Sequence, residues 1–385
     1  MIIPHMPNVP RRDMWKTKSD TKYGIAADLG RTGMSRHRFD ELMGSIRFSE
    51  QRQVRPNWMD DMQYRWELVD GFVEAINHHR ETNFEPSGLI CVDESMICWY
   101  GLGGSWFSEG LPHYVAIKRK PENGCEIRDS CCGKTGILCR LKIVKSNDGI
   151  DDDDGEDKQQ QQNETDTQLN NAGTQAVLDL VGPWLDKCRV VVGDSAFSSV
   201  NTCVQLGKRR TGYIGVVKQA TKYFPKQPLQ NTVLARCGMF VGMGTTVSNS
   251  RILAYVWSDR DRRLFVASAG SLARGIPTAR IRRRKVGDDE GNRRVEDVLI
   301  EVPMPRSTAM YYDAANKIDM HNKVRSECGI ERCFGTHDWS IRVNLGILGM
   351  LFTDAWLLYS ATCGRNNNHN THTFFAALAD DLIDL

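Results

Sequence analysis

Between residues 88 and 218 the spacing of apolar residues changes in a set order, and few topologies accept that order. The segments "GLICVDESMICWYG", "HYVAIKRK" and "GILCRLKIV" read as consecutive strands; in the last, Ile137, Cys139, Leu141 and Ile143 alternate with polar neighbours. A helix ("AGTQAVLDLVGPWLDK"), a strand ("CRVVVGD"), a second helix ("SSVNTCVQLGKRR") and a further strand ("GYIGVVK") then follow. Consecutive strands form an antiparallel meander, whereas strands separated by helices need crossovers and add in parallel. The predicted class is therefore α/β, with a mixed sheet flanked by helices.

That order is the one found in ribonuclease H-like folds, and the rest of the chain is organised around it. The chain has 385 residues, more than one core usually holds, since chains of roughly 250–300 residues begin to split into domains. Residues 1–87 predict an N-terminal helical region: "MSRHRFDELMGSIRF" places Phe39, Leu42, Met43 and Ile46 at helical spacing behind Ser35 as N-cap. Residues 88–217 form the predicted core, interrupted at 145–171 by an acidic, glutamine-rich insert with almost nothing to bury. A β-rich insertion is expected over 218–306 and a core helix over 307–327. C-terminal helices over 328–385 are expected to pack on the N-terminal region.

The composition is that of a globular protein, and a net charge of +2 says little about partners. The N-terminal "MIIPHMPNVPRRDMWK" lacks the apolar centre of a secretory signal, so the twelve cysteines are expected as reduced thiols. No C-x2-C pair occurs, so no zinc module of common spacing is expected. The nearest cluster, Cys125, Cys131, Cys132 and Cys139, is read as buried thiols. The apolar run Leu345–Phe352 is broken by Asp354 and falls short of the ~20 residues of a membrane span, so no membrane partner is expected.

Three aspartates stand out by position. Asp93 interrupts the first strand, Asp194 ends the run "VVVGD", and Asp319 lies in the helical "NKIDMHNK". An unpaired buried carboxylate costs several kcal/mol, so each must be paired, solvated or holding a cation. Taken singly, Asp194 reads equally well as a cap for the helix that follows it. Taken together, two strand carboxylates and one helix carboxylate suit Mg²⁺ or Mn²⁺, which take oxygen ligands. Two such ions, about 4 Å apart, activate an attacking oxygen and stabilise a leaving one in phosphodiester chemistry.

At these residues the chain resembles the piggyBac family of transposases. "ICVDESM" looks like the family's first aspartate motif, "VVGDSAFSSV" its second and "YYDAANKIDMHNKVR" its third. "MSRHRFDELMGSIRFSE", "GLPHYVAIKRKPENGCE" and "DWSIRVNLGILGMLFTDAWLLY" are similar to its N-terminal entry, its basic segment and its closing helix. The resemblance runs over residues 12–385 apart from the insert. It implies a ribonuclease H-like catalytic domain in which Asp93, Asp194 and Asp319 bind two Mg²⁺ (or Mn²⁺) ions. It also implies cutting at transposon ends, joining to TTAA targets, a homodimer and a nuclear location. Many members carry a further Asp where this chain has Asn322, which shares a helix face with Asp319 and offers a neutral oxygen. The alternative is a transposase-derived protein that binds DNA without cutting it.

Double-stranded DNA requires basic surface. Lys118, Arg119 and Lys120 follow the second strand. The run "RGIPTARIRRRK" contributes Arg274, Arg280, Arg282, Arg283, Arg284 and Lys285 without an acid. The same run also reads as a solvated loop or a nuclear-localisation signal. Trp99, Tyr100 and Trp106 are candidates for base stacking, with core roles as the alternative.

Overall fold

A computed structural model of the chain describes residues 13–17, 29–50, 54–99, 110–116, 123–146, 172–218, 221–287, 293–333, 336–363 and 370–383. Two N-terminal helices come first: α1 (Arg36–Ser45), capped by Ser35 Oγ accepting from Arg38 N, and α2 (Asp61–Asn83), capped in the same way by Asp60. Strands β1 (Leu89–Cys98), β2 (Val115–Ala116), β3 (Asn123–Cys132) and β4 (Leu138–Ile143) follow. The alternating section is α3 (Ala172–Val181), β5 (Val190–Gly193), α4 (Val200–Lys208) and β6 (Gly212–Val216). After α5 (Lys226–Asn231) come β7 (Phe240–Val247), β8 (Ser250–Ser258), β9 (Arg262–Ala267), β10 (Thr278–Gly287) and β11 (Arg293–Val302). The chain closes with α6 (Arg306–Ala314), α7 (Lys317–Cys328), α8 (Ile330–Cys333), α9 (Trp339–Thr362) and α10 (Thr371–Ile383).

The strands form a nine-stranded mixed sheet of order β2-β3-β1-β5-β6-β9-β8-β7, with β4 also on β3. At its centre β1 pairs parallel with β5 and β5 with β6, the predicted parallel order, and β1 pairs antiparallel with β3. The 218–306 stretch does not fold apart from this core. Strand β9 lies antiparallel on β6, so β9, β8 and β7 continue the same sheet, and β10 with β11 makes a separate two-stranded ribbon. Strand β3 was not expected. Its sequence "NGCEIRDSCC" shows no alternation because, apart from Asn123 and Glu126, it is buried on both faces.

Alternation along the central strands divides the core in two. Ile90 and Val191 face α3 and α4, while Cys91, Val192 and Ile214 face the layer built from α2, α6, α7 and α9. Helix α9 packs on α2 and on β1. Helix α9 is long and apolar enough to cross a membrane, yet half of its most apolar window is buried inside the protein. In contrast, no residue of α1 is buried, and Leu42 on its predicted apolar face is exposed.

Gly346 sets the depth of α9. A methyl group there would come within 2.7–2.8 Å of three side-chain atoms of the fully buried Ile97 in β1. Gly346→Ala gains ~1 kcal/mol of helix propensity but overpacks a rigid contact, which costs ~1–3 kcal/mol. The variant is expected to lose about 1 kcal/mol net by those same terms, read as a lower urea midpoint at unchanged slope; a raised midpoint would show that the helix simply shifts away.

Candidate active site

Asp93 and Asp194 are brought together by strand register. The β1–β5 ladder ends at the pair Val92 and Gly193, and each aspartate is the next residue of its strand path. Adjacent strands lie ~4.8 Å apart, so the two carboxylates rise from neighbouring positions. They share the face of Cys91 and Val192, two residues back on each strand, which is the face covered by α6 and α7. Tyr311 of α6 records this placement. Burial pushes its phenol well up, and Asp194 and, more weakly, Asp93 add to the rise. Both carboxylates are half-buried and are held locally: Asp93 Oδ1 accepts from Glu94 N at 2.9 Å, and Asp194 Oδ1 accepts from Ala196 N at 2.8 Å. The second bond is the turn-capping contact that the sequence also allowed, so Asp194 does cap the turn into α4 while standing beside Asp93.

The predicted single helix over "TAMYYDAANKIDMHNKVRS" is broken in two at Ala315 and Asn316, giving α6 and α7. Helix α7 is anchored at its start by Lys317 Nζ, which donates to Lys134 O at 3.2 Å. Further along, Arg325 Nη2 donates to Met96 O. Gly133 beside Lys134 bonds to Leu89 O, so the two anchors mark the two ends of β1, with Asp93 between them. Asp319 and Asn322 therefore lie over the stretch of β1 that carries Asp93. Asp319, in the first turn, is exposed. Asn322 is half-buried, and its Oδ1 is buried without a hydrogen-bond partner. Among the described residues, no three His, Cys, Asp or Glu side chains are grouped closely enough to hold a metal ion. The structure thus brings Asp93 and Asp194 together and leaves Asp319 at the rim on α7.

A further acid escaped the sequence reading. Asp129 on β3 is the direct cross-strand partner of Asp93 and is fully buried. Its Oδ2 accepts from Ser95 Oγ at 2.6 Å, and its Oδ1 is buried without a hydrogen-bond partner. Burial pushes its carboxyl well above the usual range; the Ser95 hydrogen bond opposes this, Asp93 adds to it and the charge of Arg325 opposes it. The only signal in the sequence was an acid four residues past Cys125 in a cysteine-rich segment, which the missed strand left without a face.

The basic residues divide. Lys118, Arg119 and Lys120 lie outside the described residues, as do Tyr100, Trp106 and nearly all of the acidic insert. Trp99 is buried in the core, which removes it as a stacking platform. From Thr278 on, the arginine run is strand β10, not a loop, and Arg274 lies before it in an isolated bridge with Pro305. Side chains on one strand face alternate, and Arg280 and Arg282 turn inward. Both pair with Asp259, Arg280 at 3.9 Å, and Arg280 also lies 4.9 Å over the ring of Tyr312. Arg283 points the other way, is largely exposed and sits 3.6 Å from Asp297. Arg284 and Lys285 continue the strand.

The mixed sheet with flanking helices, carrying Asp93 and Asp194 at the ends of adjacent central strand paths, is of the ribonuclease H-like class of fold. The comparisons narrow this. The chain belongs to the family described as Transposase IS4, whose pattern it matches over residues 1–356. Its fold is that of piggyBac transposase: a cryo-EM structure of a piggyBac transposase synaptic complex with hairpin DNA superimposes with a TM-score of 0.67. The identity is 16%, over 98% of this chain and 68% of that one. No curated protein matched the chain.

Proposed function

We propose that this chain acts as a piggyBac-like DNA transposase, cutting double-stranded DNA at transposon ends and joining 3′ oxygens to target DNA by divalent-ion catalysis. The observation that carries this is the β1–β5 register, which sets Asp93 and Asp194 side by side on the face that α7 covers. The donors fit a hard cation: two carboxylates at adjacent strand positions, and an amide oxygen, Asn322 Oδ1, buried with no partner of its own. Asp93, Asp194, Asp319 and Asn322 would hold Mg²⁺ or Mn²⁺. When bound, the ions supply Lewis-acid activation of the attacking oxygen and charge stabilisation at the leaving one. The chain's own part is to hold the carboxylates at fixed depth, through the turn bond to Asp194 and the anchors of α7.

In this reading the partner is double-stranded DNA with TTAA targets, and the working form is a homodimer in the nucleus. Arg283 and Lys285, with Lys118, Arg119 and Lys120, supply phosphate contacts; Arg280 and Arg282 brace the ribbon from beneath. A second reading, a DNA-binding protein without cleavage, is favoured by Asn322 and by the exposed position of Asp319.

A nicking assay separates the two. Purified protein with a duplex carrying cognate terminal repeats is expected to nick it only when Mg²⁺ or Mn²⁺ is present. Asn322→Asp, which restores a charged oxygen, is expected to raise turnover about tenfold, equivalent to ~1.4 kcal/mol. Retarded DNA mobility with no metal-dependent product from either protein would establish the non-cleaving reading.

A further inference from the structure

Arg325 is buried, with 2% of its surface exposed, at the junction of three elements. Its Nη2 donates to the backbone carbonyl of Met96, three residues along β1 from Asp93. Its Nε lies 4.0 Å from Oε2 of Glu331, a buried acid on α8 whose backbone carbonyl is in turn held by Arg342. Its charge also acts on Asp129, the buried carboxylate opposite Asp93 that Ser95 grips. A buried ionic group of this kind adds little net stability over an apolar filling of equal volume. What it does add is a defined position, because a guanidinium that must meet a backbone carbonyl on β1 and a carboxylate on α8 fixes both the rotation and the translation of its helix. Arg325 lies one turn from Asn322 on the same helix face and six residues from Asp319.

We propose that Arg325 is a positioning residue for the divalent-cation site: its bond to Met96 O locks α7 onto β1 and so sets where Asn322 and Asp319 stand relative to Asp93. The inference rests on the proposed metal-dependent function and deepens it. Arg325 does not need to touch the ion. Its effect passes through the placement of α7.

The test measures Mn²⁺ affinity, by paramagnetic resonance of the free ion, on proteins shown to be folded by circular dichroism. Arg325→Met keeps length and burial but removes the charge and the bond to Met96. It is expected to weaken Mn²⁺ binding ~10–100-fold, the usual cost of removing a residue that orients metal ligands. Arg325→Lys, which retains the charge and one donor, is expected to recover most of that loss. A purely structural role would lower the unfolding midpoint and leave the affinity of folded protein unchanged; that outcome overturns the proposal. If Arg325→Met does not fold, Glu331→Gln, which removes the charge beside Arg325, decides the matter. The proposal then requires weaker Mn²⁺ binding in Glu331→Gln, and unchanged affinity sinks it. Mn²⁺ binding lost in Asp194→Asn but intact in Arg325→Met removes this inference alone. No Mn²⁺ binding by the natural chain removes the metal-dependent function and this inference with it.

Discussion

Asp194→Asn is expected to abolish metal-dependent nicking, lowering the rate by about 10³-fold or more. The substitution removes one charge and almost no volume. The amide oxygen can still accept from Ala196 N, so the turn into α4 is preserved and the change reports on charge alone. What disappears is half of the paired negative potential that β1 and β5 present on one face. A cation stabilising phosphodiester transfer contributes several kcal/mol, and ~4 kcal/mol corresponds to about 10³ in rate. Gel-resolved nicking under single-turnover conditions measures this, with circular dichroism as the fold control. A variant that cuts at the natural rate would show that Asp194 is only a turn cap.

The largest stability effect is expected at Asp354, in the middle of α9. Its carboxylate is 3% exposed and joins four elements: Oδ1 accepts from Leu138 N at 2.9 Å on β4 and meets His321 Nε2 at 3.3 Å on α7. Oδ2 accepts from Arg80 Nη2 at 2.8 Å on α2. Asp354→Ala leaves the Leu138 N–H without its partner and Arg80 without its counter-charge, and it opens a void between helices. Breaking a buried pair from one side costs ~3–5 kcal/mol. Urea denaturation at constant slope should show a loss of that size, and Asp354→Asn, which keeps the acceptor but not the charge, a smaller one. A loss below about 1 kcal/mol for Asp354→Ala would mean that Arg80 finds water instead, as an exposed pair does.

Asp354 also shows how far local pattern reading extends. In the sequence it appears only as the residue that interrupts an apolar run. In the fold it ties the C-terminal helix to the N-terminal one. Arg280 and Arg282 show the same limit. A run of basic residues reads as a DNA-facing surface, but once the run is a strand, alternate side chains must face opposite ways, and Asp259 takes the inward pair.

What the sequence determined by itself is the centre of the molecule. The runs of β1, β5 and β6 and the helices between them follow from apolar periodicity and turn residues, and these are properties of neighbouring positions. With the right strands in parallel order, the meeting of Asp93 and Asp194 follows almost necessarily, because each directly continues an apolar run. Tertiary structure decided everything that depends on residues distant in the chain. Strand β3, buried on two faces, carries no alternation, so Asp129 had no visible position. Strand β9 joined β6 rather than a sheet of its own, and α6 and α7 separated at Asn316. Gly329 then ends α7 in the left-handed conformation at φ 62°. Which carboxylate meets which cation was settled only when the chain closed, since burial and charge compensation are set by partners two hundred residues away and leave no local pattern.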